Sequence, residues 1–434
     1  MYRKAIEQLL EWKNKKEHKP LILQGARQVG KTWLMKEFGK KHYKQVAYIT
    51  FDTNETARQI FTKGFNIERI ITELGLAVGF KINSNDTLII FDEVQECPQA
   101  LTSLKYFNEN APEYDIIAAG SYLGVAHHEG TGFPVGKVEF IKLYPLDFTE
   151  FLMATGNERF IEPVKDKNFD TVSTFKTDYE YLLKQYLYIG GMPDVVQDFV
   201  QKNDFNSVRE KQNVILETYE QDFSKHIQAN VVEKIRMLWH SIPSQLAKEN
   251  KKFIYNAVKK GARAKDFELA LAWLRDTGLI YKIHRVTKPA IPLIAYEDLD
   301  VFKIYILDVG LLGALAHLDA QTLINGNTIF EEFKGTFAEQ YVLQQLKTIP
   351  NLPIYYWSNE RSKGEIDYII QYKNEIIPIE VKAATNLKAK SLSQFRKEFE
   401  PNKSIRTSLA DYEFNNGLYN IPLYSIDFIK DIIG

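Results

Sequence analysis

The sequence predicts an α/β protein of several domains, organised around a parallel sheet that carries a phosphate-binding loop. The chain has 434 residues, more than one ordinary hydrophobic core accommodates. Residues 25–32 read Gly-x-x-x-x-Gly-Lys-Thr and follow a short apolar run. A second apolar run ends in Asp92-Glu93, as expected where a buried parallel strand presents carboxylates at its C-terminal end.

The composition excludes several classes of protein. Hydrophobic residues make up 45% and charged residues 26%, which is typical of a globular chain. The net charge of −1 provides no global cationic field, so any DNA binding must come from local patches. Cys97 is the only cysteine, which excludes an intramolecular disulfide and a cysteine-rich zinc site. With a charged N-terminus and no run approaching 18 apolar residues, we expect a cytoplasmic protein with no membrane partner.

The loop at residues 25–32 has the residue types that a nucleotide needs. Glycines let the backbone turn tightly and bring N–H groups to phosphate oxygens. Lys31 places a charge on the β- and γ-phosphates, and the Thr32 hydroxyl suits Mg²⁺. The run 20–24 before it predicts a strand, and 33–38 after it a helix whose N-terminus faces the phosphates. The expected cofactors are ATP and Mg²⁺, and the predicted binding residues are Gly25, Ala26, Arg27, Gln28, Val29, Gly30, Lys31 and Thr32.

Further strands are predicted at residues 45–52, 87–93 and 115–121, with helices at 3–16 and 67–76. Asp92 is expected to hold Mg²⁺, directly or through water, and Glu93 to polarise the attacking water. Ser121 ends the strand at 115–121, where its hydroxyl either hydrogen-bonds the γ-phosphate or the water, or simply caps the strand. The predicted catalytic residues of this site are therefore Lys31, Glu93 and Ser121.

At this point the chain resembles the AAA-type ATPases of a widespread bacterial and archaeal family, described as ATP-binding proteins with a C-terminal domain of unknown function. The resemblance covers nearly the whole chain and rests on motifs that recur in order at residues 23–32, 91–95, 119–124, 133–137, 144–151, 190–193 and 302–312. It implies a sensor role for Ser121.

The middle of the chain predicts a helical lid or connector, followed by a winged helix at residues 231–300. Helices are expected at 235–246 and 265–276, then strands on either side of a turn at 289–292. The stretch before the second of these helices is basic, and it is either a DNA-contacting face or a solvated face of a domain that contacts protein. Its basic residues are Lys248, Lys251, Lys252, Lys259, Lys260, Arg263 and Lys265. We expect His127, His128 and Glu129 to lie in a solvated loop and not to form a metal site.

Past a turn at 325–327, the chain carries a second group of acids. Glu339 lies on a predicted helix at 335–346, Asp367 near the start of a strand, and Glu380 and Lys382 on one face of the partner strand. This pattern resembles the core of PD-(D/E)XK nucleases. The resemblance implies Mg²⁺, or Mn²⁺, held by Glu339, Asp367 and Glu380, with Asp367, Glu380 and Lys382 as catalytic residues. The alternative is a solvent-facing ion pair or a catalytically silent scaffold.

Positive charges follow these acids and would suit a phosphate backbone: Lys388, Lys390, Arg396, Lys397, Lys403 and Arg406. No arginine finger is assigned, because Arg27, Arg159 and Arg236 qualify only by residue type. A finger that acts in trans would require an oligomer.

We therefore expect four segments: an AAA-type P-loop ATPase domain at 1–155, a helical lid at 156–228, a winged helix at 229–324 and a PD-(D/E)XK-like α/β domain at 325–434. The favoured function is Mg²⁺-dependent ATP hydrolysis coupled to DNA binding and to metal-dependent DNA cleavage. The alternative is an ATP-dependent molecular switch that acts on a protein partner and whose nuclease-like domain is non-catalytic. A DNA-binding regulator without ATP turnover is a third reading, which the intact Glu93 disfavours.

Overall fold

The computed structural model describes residues 1–121, 132–224, 229–248, 251–320, 331–359, 364–385 and 389–434, and only the backbone of 331–333. It divides into two compact units. The first comprises Tyr2–Tyr144 with Asp276–Gly278, and the second comprises Pro145–Arg275 with Leu279–Gly434. The histidine loop at 127–129, the turn at 325–327 and Lys388 lie outside the described residues. The finer division into four segments stays a prediction.

The first unit is built on a parallel sheet. Its strands are β1 (Leu21–Gln24), β2 (Gln45–Thr50), β3 (Thr87–Asp92), β4 (Asp115–Ala119) and β5 (Glu139–Lys142). They lie in the order β2-β3-β4-β1-β5, and each pair is parallel. Every residue of β3 is buried, as the apolar run Leu88–Phe91 at its centre indicates. The parallel-sheet core expected from the sequence is therefore confirmed.

Helices complete the first unit: α1 (Ala5–Asn14), α2 (Lys31–His42), α3 (Glu55–Thr62), α4 (Ile67–Val78) and α5 (Pro98–Asn110). Local sequence explains their ends. The Asn66 side chain accepts a hydrogen bond from the Arg69 N–H and so caps the start of α4, and Gly79 ends it with φ 82°. In the core, the rings of Phe51, Phe61 and Phe91 meet edge to face with centroids 5.5–5.7 Å apart.

The second unit begins with a helical region: α6 (Phe148–Ala154), α7 (Ile161–Lys165), α8 (Phe169–Thr174), α9 (Lys176–Ile189), α10 (Pro193–Lys202) and α11 (Phe205–Asp222). Asp147 and Glu150 form a reciprocal capping box at the start of α6. The break between α9 and α10 falls at Gly190-Gly191, as the sequence indicates. A Cβ on Gly191 would lie 2.1 Å from the Leu146 carbonyl oxygen, so only glycine fits there.

Three helices and an antiparallel hairpin follow: α12 (Ala229–Leu246), α13 (Tyr255–Val258), α14 (Ala264–Asp276), β6 (Ile280–Val286) and β7 (Glu297–Ile306). This order agrees with the winged-helix expectation. The hairpin is not isolated, however, because β6 also pairs in parallel with a strand of the C-terminal segment at Arg285 and Val286. The expected wing is thus part of a larger sheet, and the winged-helix assignment stays a prediction.

The C-terminal segment contains α15 (Val309–Leu315), α16 (Glu331–Lys347), β8 (Ile354–Ser358), β9 (Glu365–Tyr372), β10 (Glu375–Val381), α17 (Lys390–Phe399), β11 (Ser404–Ser408), β12 (Glu413–Asn415), β13 (Leu418–Pro422) and α18 (Ile429–Ile433). Strands β8, β9 and β10 form an antiparallel meander, and β11 joins β10 in parallel after α17. The sheet order is β12-β13-β11-β10-β9-β8-β6-β7.

Candidate nucleotide site and a carboxylate–lysine cluster

The loop between β1 and α2 has a backbone that only particular residues tolerate. Gly30 has φ 92° and ψ 24° at the N-terminus of α2, a left-handed conformation that glycine adopts without strain. A Cβ on Gly25 would lie 2.4 Å from the Leu143 carbonyl oxygen. The Arg3 guanidinium donates to the Val29 carbonyl at 2.9 Å and fixes the loop from behind. Both glycines of the motif are therefore required by geometry.

Lys31 is folded back onto its own loop. Its Nζ donates to the carbonyl oxygens of Gly25 at 2.9 Å and Ala26 at 2.8 Å, and to Ser121 Oγ at 3.3 Å. Burial lowers the pKa of Lys31 to about 8, against the opposing charges of Glu93 and Asp92. The ammonium group thus sits on weak, neutral acceptors that phosphate oxygens would replace.

Asp92 lies at the end of β3 and is 3% exposed. Its Oδ2 accepts hydrogen bonds from Thr32 Oγ1 at 2.7 Å and from the Tyr48 hydroxyl, on β2, at 2.9 Å. Burial and the charge of Asp92 raise the pKa of Tyr48 above its ordinary value, so the hydroxyl stays a donor. The Thr32 hydroxyl and the Asp92 carboxylate are the hard oxygen donors that Mg²⁺ prefers, and they already touch.

Glu93 follows directly and has an unusual backbone, with φ 50° and ψ 44°. Its N–H donates to Asp92 Oδ1 at 3.1 Å, and its Oε2 accepts from Gln95 Nε2 at 2.6 Å. The order of the strands explains why these side chains meet. Strand β4, which leads to Ser121, lies between β1 and β3, so all three carboxyl ends open on one edge. The residues present fit ATP with Mg²⁺.

The C-terminal acids also converge. The β9–β10 register pairs Tyr368 with Ile379, and its next step sets Asp367 opposite Glu380. The Val381 N–H donates to Asp367 Oδ2 at 2.8 Å, and Lys382 Nζ donates to Glu380 Oε1 at 2.7 Å. Alternation along the hairpin therefore brings Asp367, Glu380 and Lys382 together as expected.

Two lysines that the sequence analysis did not assign to this site lie among the acids. Lys251, 9% exposed, pairs with Glu339 Oε1, while the Tyr305 hydroxyl donates to Glu339 Oε2 at 3.1 Å. The Lys303 side chain, on β7, has no exposed surface and pairs with Glu365. We call these groups, with Asp367, Glu380 and Lys382, the carboxylate–lysine cluster.

The electrostatics of the cluster follow from this pairing. Burial works to raise the pKa of Glu339, but the charges of Lys251 and Lys303 outweigh it and lower that pKa. Burial, with Glu339 and Glu380 nearby, raises the pKa of Asp367 well above its ordinary value. The ammonium groups of Lys251, Lys303 and Lys382 therefore give the acids of the cluster counter-charges within the chain itself.

A divalent cation fits this cluster poorly. Both Glu339 oxygens are engaged, one by Lys251 and one by the Tyr305 hydroxyl, and Lys303 adds a further ammonium group at Glu365. Among the residues that the structure describes, no group of three or more His, Cys, Asp or Glu side chains could hold a metal ion. The expected Mg²⁺ or Mn²⁺ at Glu339, Asp367 and Glu380 stays a prediction that this geometry disfavours.

The two basic stretches are less uniform than expected. Lys251 is buried in the cluster, so it does not belong to a solvent-facing basic surface. Exposed side chains remain near α13 and α14 at Lys252, Lys259, Lys260, Arg263 and Lys265. In the C-terminal stretch, Arg396 donates to the Asn416 carbonyl, Lys403 pairs with Glu375, and Arg406 donates to Asn420. Part of that charge therefore supports the fold.

Sequence reasoning missed six residues at these sites: Tyr48, Gln95, Lys251, Lys303, Tyr305 and Glu365. Tyr48 and Gln95 contact the acids of the nucleotide site, and Lys251 and Lys303 pair with acids of the cluster. A signal existed for Lys303, because a lysine within an apolar strand must find a counter-charge once it is buried. No comparable signal marks Tyr48, which is an ordinary strand residue by type.

Three family models match the chain. Residues 17–152 match an AAA domain, residues 180–322 match a domain of unknown function (DUF8612), and residues 334–426 match a domain of unknown function (DUF4143). The N-terminal segment is therefore similar to AAA domains, in agreement with the sequence motifs. No curated protein is significantly similar to the chain in sequence. Within the described part of the chain, every helix is too short or too polar to cross a bilayer.

Solved structures show distant likenesses. A Walker-type ATPase of Pyrococcus abyssi shares 15% identity at a TM-score of 0.45, over 73% of this chain and 95% of that one. The ORC1 protein of Aeropyrum pernix, solved in complex with DNA, shares 10% identity at a TM-score of 0.28, over 73% of this chain and 91% of that one. AMPPCP-bound DnaA from Aquifex aeolicus shares 14% identity at a TM-score of 0.27, over 62% of this chain and 85% of that one. At these TM-scores the likenesses carry no argument about partners.

Proposed function

We propose that the chain hydrolyses ATP in a Mg²⁺-dependent reaction. The observation that carries this proposal is the contact of Thr32 Oγ1 with Asp92 Oδ2 at 2.7 Å, beside a buried Lys31 and next to Glu93. A phosphate loop alone would support nucleotide binding. The addition of a paired metal-ligand set and an adjacent carboxylate supports turnover.

Each side chain has a distinct role in this proposal. Backbone N–H groups of the loop would surround the phosphates, and Lys31 would exchange loop carbonyls for β- and γ-phosphate oxygens. Thr32 and Asp92 would hold Mg²⁺, which when bound neutralises charge on the phosphates. Glu93 would accept a proton from the attacking water. Ser121, within 3.3 Å of Lys31, would hydrogen-bond the γ-phosphate.

The test is phosphate release by the purified chain with Mg²⁺ or with EDTA. Lys31→Ala and Glu93→Gln should each lower kcat by at least about 100-fold, and Glu93→Gln should still bind ATP. Lys40→Ala, which changes an exposed lysine on α2, is the matched control and should match wild type. Hydrolysis by Lys31→Ala at the wild-type rate would attribute the activity to another source and reject the proposal.

For the second unit, we propose that it is part of an ATP-dependent molecular switch and that its nuclease-like segment does not cleave DNA. Support comes from the pairing of Lys251 with Glu339 and of Lys303 with Glu365, which gives these carboxylates counter-charges from the chain itself. Plasmid and single-stranded DNA should therefore stay intact with Mg²⁺ or Mn²⁺, with and without ATP. Cleavage by wild type that Asp367→Ala abolishes would establish the nuclease instead.

DNA binding is a second candidate function, and the exposed basic side chains near α13 and α14 favour it. Lys259→Glu with Lys260→Glu should weaken duplex binding and flatten the dependence of log K on log salt by about 1.8, if each lysine contacts one phosphate. Lys63→Glu with Lys81→Glu makes the same charge change at exposed positions of the first unit and should leave binding unchanged. Equal losses in both pairs would indicate a general charge effect and no specific face.

A further inference from the structure

The backbone around Glu93 is held in a conformation that its residue type disfavours. The left-handed conformation at φ 50° costs a non-glycine residue about 1–2 kcal/mol. A 3₁₀ turn at Val94–Glu96 follows immediately, closed by the Glu96 N–H on the Glu93 carbonyl at 3.0 Å. Such strain persists where the surroundings fix it, and it concentrates at functional sites. The turn therefore fixes Gln95 relative to Glu93.

Only the NH₂ group of the Gln95 amide has a hydrogen-bond partner among the described residues. Because a carboxylate can only accept hydrogen bonds, the group that faces Glu93 Oε2 at 2.6 Å is the NH₂ of Gln95. The other end of the amide, Oε1, is buried and has no hydrogen-bond partner within the part of the chain that the structure describes. An unsatisfied buried acceptor costs about 1–3 kcal/mol, so Gln95 Oε1 is stabilised when it accepts a hydrogen bond.

We infer that Gln95 is a further catalytic residue, whose carbonyl oxygen accepts a hydrogen bond from the attacking water while its NH₂ holds Glu93. This inference rests on the proposed ATP hydrolysis. Water has two O–H groups, and the geometry offers two acceptors, the Glu93 carboxylate and Gln95 Oε1. The planar Gln95 amide fixes their relative position, because its NH₂ is hydrogen-bonded to Glu93. Fixing both O–H groups aims the remaining lone pair of the water at the γ-phosphorus.

The step balances without a further reactant. The water oxygen forms a bond to the γ-phosphorus, and the bond from the γ-phosphorus to the oxygen shared with the β-phosphate breaks. One water proton passes to Glu93, the other stays on the product phosphate, and the bridging oxygen leaves with ADP. Gln95 exchanges no proton, since an amide does not titrate in this range, and contributes orientation alone.

A competing role for the same contact is a latch. In that case the amide would hold Glu93 away from the water until ATP or a partner releases it, and removing the amide would speed hydrolysis. The two roles predict opposite changes in kcat, so one variant separates them.

The variants are Gln95→Met, which keeps the side-chain length without hydrogen bonds, and Gln95→Glu. Gln95→Met should lower kcat about 10- to 100-fold, because the attacking water loses its orientation. Its affinity for a fluorescent ATP analogue and its melting temperature should stay at wild-type values. Gln99→Met, the same change at an exposed glutamine on α5, is the control. This split between kcat and affinity is not expected from a merely structural residue.

Gln95→Glu adds a pH readout that also serves if Gln95→Met does not fold. The two adjacent carboxyls repel, so the pair holds one proton at a raised pKa. A protonated Glu at this position again offers one donor and one acceptor. Its activity should therefore recover as the pH falls through that pKa, while wild type shows no such recovery.

Wild-type kcat in Gln95→Met, or a pH profile of Gln95→Glu parallel to wild type, would overturn the inference. A rise in kcat would assign the latch in its place. Failure of the proposed function looks different, because then wild type and Gln99→Met would show no hydrolysis that depends on Lys31 and Mg²⁺.

Discussion

Replacing Lys303 by methionine should destabilise the second unit, because it removes a buried charge and leaves its counter-charges in place. Removal of one partner of a buried ion pair costs about 3–5 kcal/mol. The Lys303 side chain has no exposed surface, whereas Glu365 keeps a quarter of its own exposed. Water can therefore relieve part of the cost at Glu365, so we expect about 3 kcal/mol. Methionine keeps most of the side-chain volume, which limits any contribution from a cavity.

The assay is urea unfolding followed by the fluorescence of tryptophan, with hydrogen exchange on β7 and β9 to locate the loss. Lys260→Met changes an exposed lysine of the same unit and should shift stability by no more than about 0.5 kcal/mol. Adding Glu365→Gln to Lys303→Met should recover part of the loss, because it removes the uncompensated carboxylate. A Lys303→Met chain as stable as wild type would refute the reasoning.

Chelation of metal ions tests the same prediction independently. If lysines neutralise the acids, EDTA should leave the stability of the wild-type chain without nucleotide unchanged. In Lys303→Met the missing charge could come from a cation, so Mn²⁺ should raise its stability. EDTA that destabilises the wild-type second unit would show that a metal, and not Lys303, is the native counter-charge.

Three further predictions concern single contacts. Asp308→Ala should cost at least about 3 kcal/mol in urea unfolding, because the buried carboxylate accepts two backbone N–H groups at 2.7 and 3.0 Å and a side-chain amide at 3.0 Å. Gly191→Ala should abolish soluble expression, since its Cβ would lie 2.1 Å from a carbonyl oxygen, whereas Gly335→Ala, on a helix with open space around it, should raise the melting temperature. The hydrogen bond to Asp115 raises the pKa of His18 above its ordinary value, so its stabilisation is complete below that value and is lost as the pH rises through the raised pKa. His18→Gln should thus melt earlier than wild type near pH 5.5 and approach it near pH 8, and a gap independent of pH would contradict this.

The nucleotide site could be predicted closely because its chemistry is contiguous. Eight consecutive residues fix the loop, and the strand that ends in Asp92-Glu93 delivers both acids without reference to distant parts of the chain. What the sequence could not provide is contact between strands. Tyr48 reaches Asp92 only because β2 and β3 are neighbours in register, and no local pattern states that pairing.

In the C-terminal cluster, contacts within one hairpin could be predicted from the sequence, whereas contacts with a strand distant in the chain could not. Period-two alternation correctly placed Glu380 and Lys382 together, and the hairpin brought Asp367 opposite them. The interpretation as a metal site considered only residues after position 325. Lys303 precedes that segment in the chain, yet it was visible as a lysine within the apolar run Val301–Leu307.

The cluster also bears on whether the last segment folds alone. A separate domain at 325–434 would lack Lys251 and Lys303, so Glu339, Glu365 and Asp367 would be left with Lys382 as their cation within the cluster. It would also expose the edge of β8 that pairs with β6 at Arg285 and Val286. We therefore expect a fragment of residues 325–434 to be insoluble or unfolded by circular dichroism, while residues 145–434, which keep both lysines, fold. A stable, cooperatively unfolding fragment of 325–434 would show that the acids do not need these lysines, and would return the metal-binding interpretation to first place.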